Sequence, residues 1–250
     1  MLTWLKVKEV SLLSWPVNYY NHKLMKKNVI SYAAMITVVL LLIPGLMAAQ
    51  GKGKKNKGHK KDKSDRIMLF NGKDLDNWVL KLKDPTVDPQ KIFTVKDGDI
   101  HIAGTPFGYM RTKGTYSDYK LHVEYRWPSE PTNSGVFLNM QEPDAIWPKC
   151  FECQLQAGNA GDMICMDGAD MAEHTDKSSI VVPKFVASSE KPAGEWNKLK
   201  IICKDDIIEI YVNGVLQNRA TKTNITSGHI CLQSEGKEIE FRDVYLTKLK

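Results

Sequence analysis

The sequence predicts an all-β sandwich or jelly roll over residues 66–250. Three observations lead there. Apolar and polar residues alternate in short runs, as at 119–127 and 207–212. Turn signals separate the runs, and Asn213-Gly214 is the strongest because both residues tolerate positive φ. After Arg66, no segment carries a long apolar stripe of helical period. About 185 residues suffice to bury a sizeable core.

The N-terminal quarter is built differently. Residues 1–65 hold twelve lysines, no arginine and three acids. The remaining 23 basic and 26 acidic residues give 66–250 a net charge of −3, so the overall +6 resides in the leader and linker. A folded part without a basic surplus argues against nucleic acid as a partner. Lys26 and Lys27 precede an apolar run at 29–43, which Pro44 and Gly45 end before Ala48 and Ala49. This is the charged, apolar, small-residue order of a secretory signal, with Met25 as its natural start. The run is shorter than the roughly twenty residues of a spanning helix. Leu46 and Met47 fit a cleavage site less well, which leaves an uncleaved anchor as the alternative. Residues 1–49 are therefore expected to be a signal or leader segment, and the protein to be exported. Residues 50–65 are a Lys-rich linker whose composition cannot support a core. Membrane contact is expected only through an uncleaved leader or this linker.

Within the folded part, the segment Cys150-Phe151-Glu152-Cys153-Gln154-Leu155-Gln156 reads as a strand with two unlike faces. Phe151, Cys153 and Leu155 fall on one face; Glu152, Gln154 and Gln156 fall on the other. One face joins a core while the other offers an acid and two amides; a plain solvated face is the alternative. Cys150 and Cys153 alternate onto opposite faces, against a redox pair or a shared zinc site. Cys165, Cys203 and Cys231 are scattered, and few or no disulfides are expected among these five. Further on, Ile208, Ile210 and Val212 should share a strand face opposite Glu209 and Tyr211. Gly236-Lys237 separates two more strand-like runs, 230–233 and 238–241.

Five motifs, in order over residues 67–249, resemble the 3-keto-disaccharide hydrolase family. The opening pair is Leu69-Phe70-Asn71-Gly72-Lys73-Asp74-Leu75-Asp76-Asn77-Trp78 and Phe93-Thr94-Val95-Lys96-Asp97-Gly98-Asp99-Ile100. The centre is Asn133-Ser134-Gly135-Val136-Phe137-Leu138, followed by the acidic strand at Glu152. The close is Ser227–Gly236 with Ile239-Glu240-Phe241-Arg242-Asp243-Val244. The resemblance implies a concanavalin A-like jelly roll of two curved antiparallel sheets, exported to the periplasm or exterior of a bacterium. Two positions depart from the family pattern: Asn139 stands where the central motif usually continues with arginine, and Glu235 where the close often has histidine.

A retaining glycosidase needs two carboxylates about 5 Å apart. The acidic strand has one, so a second would come from Asp162 or Glu235. A 3-keto sugar asks for less. Its ketone acidifies the C2 hydrogen, one base removes it, and the C1 substituent leaves by β-elimination; water addition then completes a net hydrolysis. Glu152 is thus expected to be the base. Gln154, Asn139, Asn133, Asp162, Gln233, Glu235 and His174 are the candidate substrate contacts. For Asn133 a turn, for Asp162 a plain loop and for His174 a surface position are the alternatives. Trp127 and Trp147 would either stack on a sugar or pack in the core. No cofactor is required; a divalent metal ion near the ketone would be an aid. The expected partner is a mono- or oligosaccharide. The competing readings are a non-catalytic, lectin-like carbohydrate-binding module and a structural surface protein.

Overall fold

A computed structural model of the protein describes residues 65–250. The leader at 1–49 and the linker before residue 65 lie outside the described residues. Two antiparallel sheets enclose one core. The first runs in the order β14 (Val215–Ala220), β13 (Ile207–Val212), β12 (Asn197–Lys204), β7 (Tyr119–Arg126), β16 (Ile239–Lys248), β4 (Asp99–Ile102) and β3 (Phe93–Lys96). A short β1 (Arg66–Met68) also pairs with β16. The second sheet runs β11 (Val181–Val182), β10 (Met163–Met166), β9 (Cys150–Gln154), β8 (Gly135–Met140), β15 (Ser227–Ser234), β5 (Gly108–Thr112) and β2 (Trp78–Leu82). Here β6 (Tyr116–Ser117) pairs with β15. The chain crosses repeatedly between sheets, which is the jelly-roll arrangement.

The core follows from period-two alternation. Leu121, Val123, Ile201, Ile210 and Phe241 from the first sheet meet Val136, Leu138, Phe151, Cys153 and Leu232 from the second in one apolar cluster. Non-directional burial drives this union, at roughly 25 cal/mol per Å² of apolar surface. The β13–β14 hairpin turns at Asn213 (φ 51°) and Gly214 (φ 86°), the pair of positive angles that its tight turn requires. Ile208, Ile210 and Val212 are buried, while Tyr211 donates a hydrogen bond to Glu209 Oε2 at 2.9 Å on the other face. Ile210→Ala should therefore cost roughly 2–5 kcal/mol in lost burial and cavity formation. Urea unfolding reads this directly; a change below about 0.5 kcal/mol would contradict the packing.

The runs flanking Gly236-Lys237 belong to different sheets, β15 to the second and β16 to the first. All five cysteines are free and buried. Cys153 joins the main core, whereas Cys150 lies with Tyr109, Phe137, Met140, Ile164, Met166 and Cys231 in a smaller cluster on the opposite face of the second sheet.

That smaller cluster contains one break of alternation. Between β8 and β15, His229 pairs with Met140 and Cys231 with Phe137, so two steps along β15 meet three along β8. The extra residue is a β-bulge, and Asn139 takes the positive φ of 54° there. From this point the faces of β8 exchange. Met140 joins Phe137 on the far face, and Asn139 turns inward.

Candidate active site

The outer face of the second sheet carries a cleft of about 310 Å³. Its polar side is assembled from three adjacent strands. β9 contributes Glu152 and Gln154, and the end of β15 contributes Gln233 and, just beyond it, Glu235. Asn133 stands ahead of β8 and forms a backbone bridge with Glu235. Ser134 secures this junction by donating from Oγ to the Gln233 carbonyl at 2.9 Å.

Glu152 is 3% exposed. Its carboxyl lies across Gly135: a Cβ there would sit 2.0 Å from Glu152 Oε1 and 2.7 Å from its Cδ. Gly135 is thus present to make room for the acid. Gln154 folds onto its own chain, and its Oε1 accepts from the backbone N–H groups of Leu155 and Gln156, both at 3.0 Å. Its amide nitrogen is left over as a donor. Gln156, beyond the end of β9, bonds Asn159 in the following turn.

Burial pushes the Glu152 carboxyl well above the usual carboxylate range, and the charge of Glu235 pushes it further. Burial also raises Glu235, with the amides of Asn133 and Gln233 pulling the other way. Glu152 is buried and Glu235 only half-buried, so desolvation falls harder on Glu152. Eight buried side-chain polar atoms among the described residues lack a hydrogen-bond partner, and four belong to this cleft: Glu152 Oε1, Asn133 Oδ1 and both amide atoms of Gln233. Buried polar atoms are nearly always paired, so such a concentration sets this cleft apart from the rest of the described residues.

The structure brings together Glu152, Gln154, Asn133, Gln233 and Glu235, and leaves out three other candidates. Asn139 faces inward because of the bulge; its Nδ2 donates to the Ile225 carbonyl at 3.1 Å, and Tyr119 Oη donates to its Oδ1 at 3.5 Å. Asp162 is taken by Lys184, accepting from its backbone N–H at 2.9 Å with the ammonium 3.4 Å away. His174 is held in its loop, with Nδ1 2.9 Å from Asp170 and Nε2 2.7 Å from the Ser179 carbonyl. Trp127 is buried in the main core, whereas Trp147 lines the cleft. Sequence reasoning did not find Gly135 as the seat of Glu152, nor Ile164, Met166, Asp167, Ile180 and Val181 as lining. β10 reads Met-Ile-Cys-Met, apolar on both faces, so alternation carries no signal there.

A hard divalent cation takes oxygen donors, and the two glutamates with the amide oxygens of Asn133 and Gln233 are of that kind. The groupings of three close donors among the described residues stand elsewhere, at His101, Glu238 and Glu240 and at His122, Glu124 and Asp243. Both lie on the outer face of the first sheet, where Arg126 already pairs with Glu240 and Arg242 with Glu124. A larger hollow of about 530 Å³ lies beside Trp78 between edge strands β2 and β3, but its carboxylate, Asp76, is exposed.

The profile of the 3-keto-alpha-glucoside-1,2-lyase-like domain matches residues 65–247. The chain belongs to that family. The domain is thus of a carbohydrate-active kind, and the match spans the whole sandwich. No curated protein matches the chain. Among solved structures, it is similar to a protein of Parabacteroides distasonis assigned as a glycosyl hydrolase, with 21% identity over 75% of this chain and 95% of that one, at a TM-score of 0.57. A Bacillus licheniformis β-glucanase is similar at 12% identity and a TM-score of 0.51, covering 76% of this chain and 100% of its own. The carbohydrate-binding module CBM66 of Bacillus subtilis is similar at 9% identity and a TM-score of 0.51, over 69% and 96%. At these identities the likenesses establish the jelly-roll fold.

Proposed function

We propose that the protein cleaves 3-keto-glycosides by elimination, using Glu152 and Glu235 as a proton-transfer pair. The observation that carries this is the meeting of two carboxyls of unlike burial with three amides, those of Asn133, Gln154 and Gln233, in one cleft. Two titratable groups whose surroundings push them apart divide into acid and base. The sequence alone made Glu152 the base; we assign it the acid role instead, because it is the more deeply buried of the two. Glu235, the less buried of the two, takes the C2 proton of the sugar, and the electron pair forms an enolate with the C3 ketone. The N–H groups of Gln154, Asn133 and Gln233 are the available donors for that oxyanion. The pair then closes the C1–C2 double bond as the C1–O bond breaks, and Glu152 gives its proton to the departing oxygen. Water adding to C1 would complete the hydrolysis.

Incubation of the purified protein with 3-keto and ordinary glycosides, with and without a divalent metal, tests the activity. The expected result is product from the 3-keto compounds alone. Sugar binding with no product from either class would make the domain a binding module instead.

We also propose export, on the order of charges, apolar run and small residues before Gln50. N-terminal sequencing of protein from its native host should find an end near Gln50; an intact Met25 end would refute cleavage.

A further inference from the structure

The cleft has a second side that the proton-transfer chemistry does not use. Across the strand order β15, β8, β9, β10, β11 the lining changes character. The first three strands bring the carboxyls and amides. β10 brings Ile164 and Met166, and the next strand brings Val181, with Ile180 just before it. Glu152 sits at the border, since Ile164 is its direct cross-strand partner. Asp167, exposed at the rim, is the polar exception on this side.

Trp147 completes the apolar wall. It is 51% exposed, and Ile180 is 54% exposed, although both line the cleft. Trp147 belongs to the loop between β8 and β9, which is tied down at several points. Gln141 N–H donates to the Lys149 carbonyl at 2.9 Å and closes the loop base. Arg111 grips Asp144 with two hydrogen bonds of 2.6 and 3.0 Å. Tyr109 Oη donates to the Ala145 carbonyl at 2.8 Å. The Trp147 ring rests against Phe107, with centroids 4.2 Å apart at 35°. An exposed aromatic on an anchored loop is a preorganised platform, and its ordering cost is met before a ligand arrives.

We infer that the leaving group of the natural substrate is aromatic or otherwise apolar, seated against Trp147, Ile180, Val181 and Met166, and is not a second sugar. A pyranose can lay a C–H face on Trp147, but Ile180, Val181 and Met166 on the same wall offer its hydroxyls no partner. An aryl group would remove that wall from water instead. The inference rests on the carboxylate-pair reading for the direction of cleavage, but the wall itself does not depend on it.

Calorimetric binding of glucosides unmodified at C3, which the proposed elimination cannot consume, provides the test. Phenyl glucosides should bind at least about tenfold more tightly than methyl glucosides and than trehalose or maltose. Trp147→Ala should remove most of that preference, lowering phenyl glucoside affinity about five- to tenfold and methyl glucoside affinity about twofold or less. Ile180→Ser, on the opposite loop, should weaken the preference in the same sense. Equal affinities, a preference for the disaccharides, or no binding by the phenyl compounds would overturn the inference. Aryl preference without turnover of any 3-keto-glycoside would remove the elimination chemistry and leave the apolar seat. Turnover without aryl preference would do the opposite.

Discussion

Glu152→Gln should lower turnover of 3-keto-glycosides with alkyl leaving groups by about 10²–10⁴, the usual worth of a positioned general acid or base. Shape is nearly unchanged by this substitution, so sugar affinity should survive much better than turnover. The leaving group then distinguishes the two roles. An acid at Glu152 matters little when the departing oxygen is a nitrophenolate, which leaves without a proton. The defect of Glu152→Gln should therefore shrink on nitrophenyl 3-keto-glycosides, while that of Glu235→Gln should persist on all leaving groups. Equal defects of Glu152→Gln on both kinds of substrate would return the base role to Glu152. Parent-like turnover on alkyl substrates would remove Glu152 from the chemistry.

The pH dependence has a definite sign. Both carboxyls are raised above the ordinary value of 4.5, and Glu152 is the more deeply buried. Activity should rise with pH as Glu235 ionises and fall at higher pH as Glu152 loses its proton. Glu152→Gln should abolish the alkaline limb. Stability moves too. The folded state binds the Glu152 proton more tightly than the unfolded state does. The associated stability is fully present below 4.5 and lost as pH rises through the raised value. Each unit of that rise is worth about 1.4 kcal/mol, and Glu152→Gln should be free of this loss.

Gly135→Ala should abolish most activity while leaving the fold intact, with turnover down at least about 10²-fold, as expected when a reacting group is misplaced by about 1 Å. The added Cβ would meet the Glu152 carboxyl at 2.0 Å, and its three nearest neighbours are all atoms of that one side chain. The backbone at Gly135 is not in the left-handed region, so alanine adds no backbone strain there. The flexible glutamate must yield. Thermal unfolding should shift by only a few degrees, corresponding to about 1 kcal/mol or less. Shortening the acid should relieve the clash, so Gly135→Ala with Glu152→Asp should recover part of the lost rate. Full activity in Gly135→Ala would show that the seat of Glu152 does not matter to catalysis.

What local sequence can carry is the parity of each strand. Alternation at 150–155 puts Glu152 and Gln154 on one face and Phe151, Cys153 and Leu155 on the other, and the structure keeps that division. Asn213-Gly214 declares its turn because few other residue pairs accept two positive φ angles. Parity also has a limit: a single inserted residue reverses it. The bulge at Asn139 does so on β8, and nothing in Val136-Phe137-Leu138-Asn139-Met140 announces it. Asn139, a site candidate by position, becomes an inward tie to Tyr119 and Ile225.

Partners distant in sequence were decided only in three dimensions. Asp162 and Glu235 were equal candidates for the second carboxylate. Lys184 captures one, and the bridge to Asn133 delivers the other to Glu152. Trp127 and Trp147 were equal candidates for stacking, until one was enclosed between the sheets and the other left half bare on an anchored loop. By itself, then, the sequence determined the all-β class, the two-faced strand and the acid on it, because these follow from short-range periodicity and turn chemistry. The tertiary structure decided which acid shares the cleft with Glu152, which glycine makes room for it and which apolar residues form the opposite wall. Those depend on strand order, and strand order is set by burial of the whole apolar surface at once, not by any one segment.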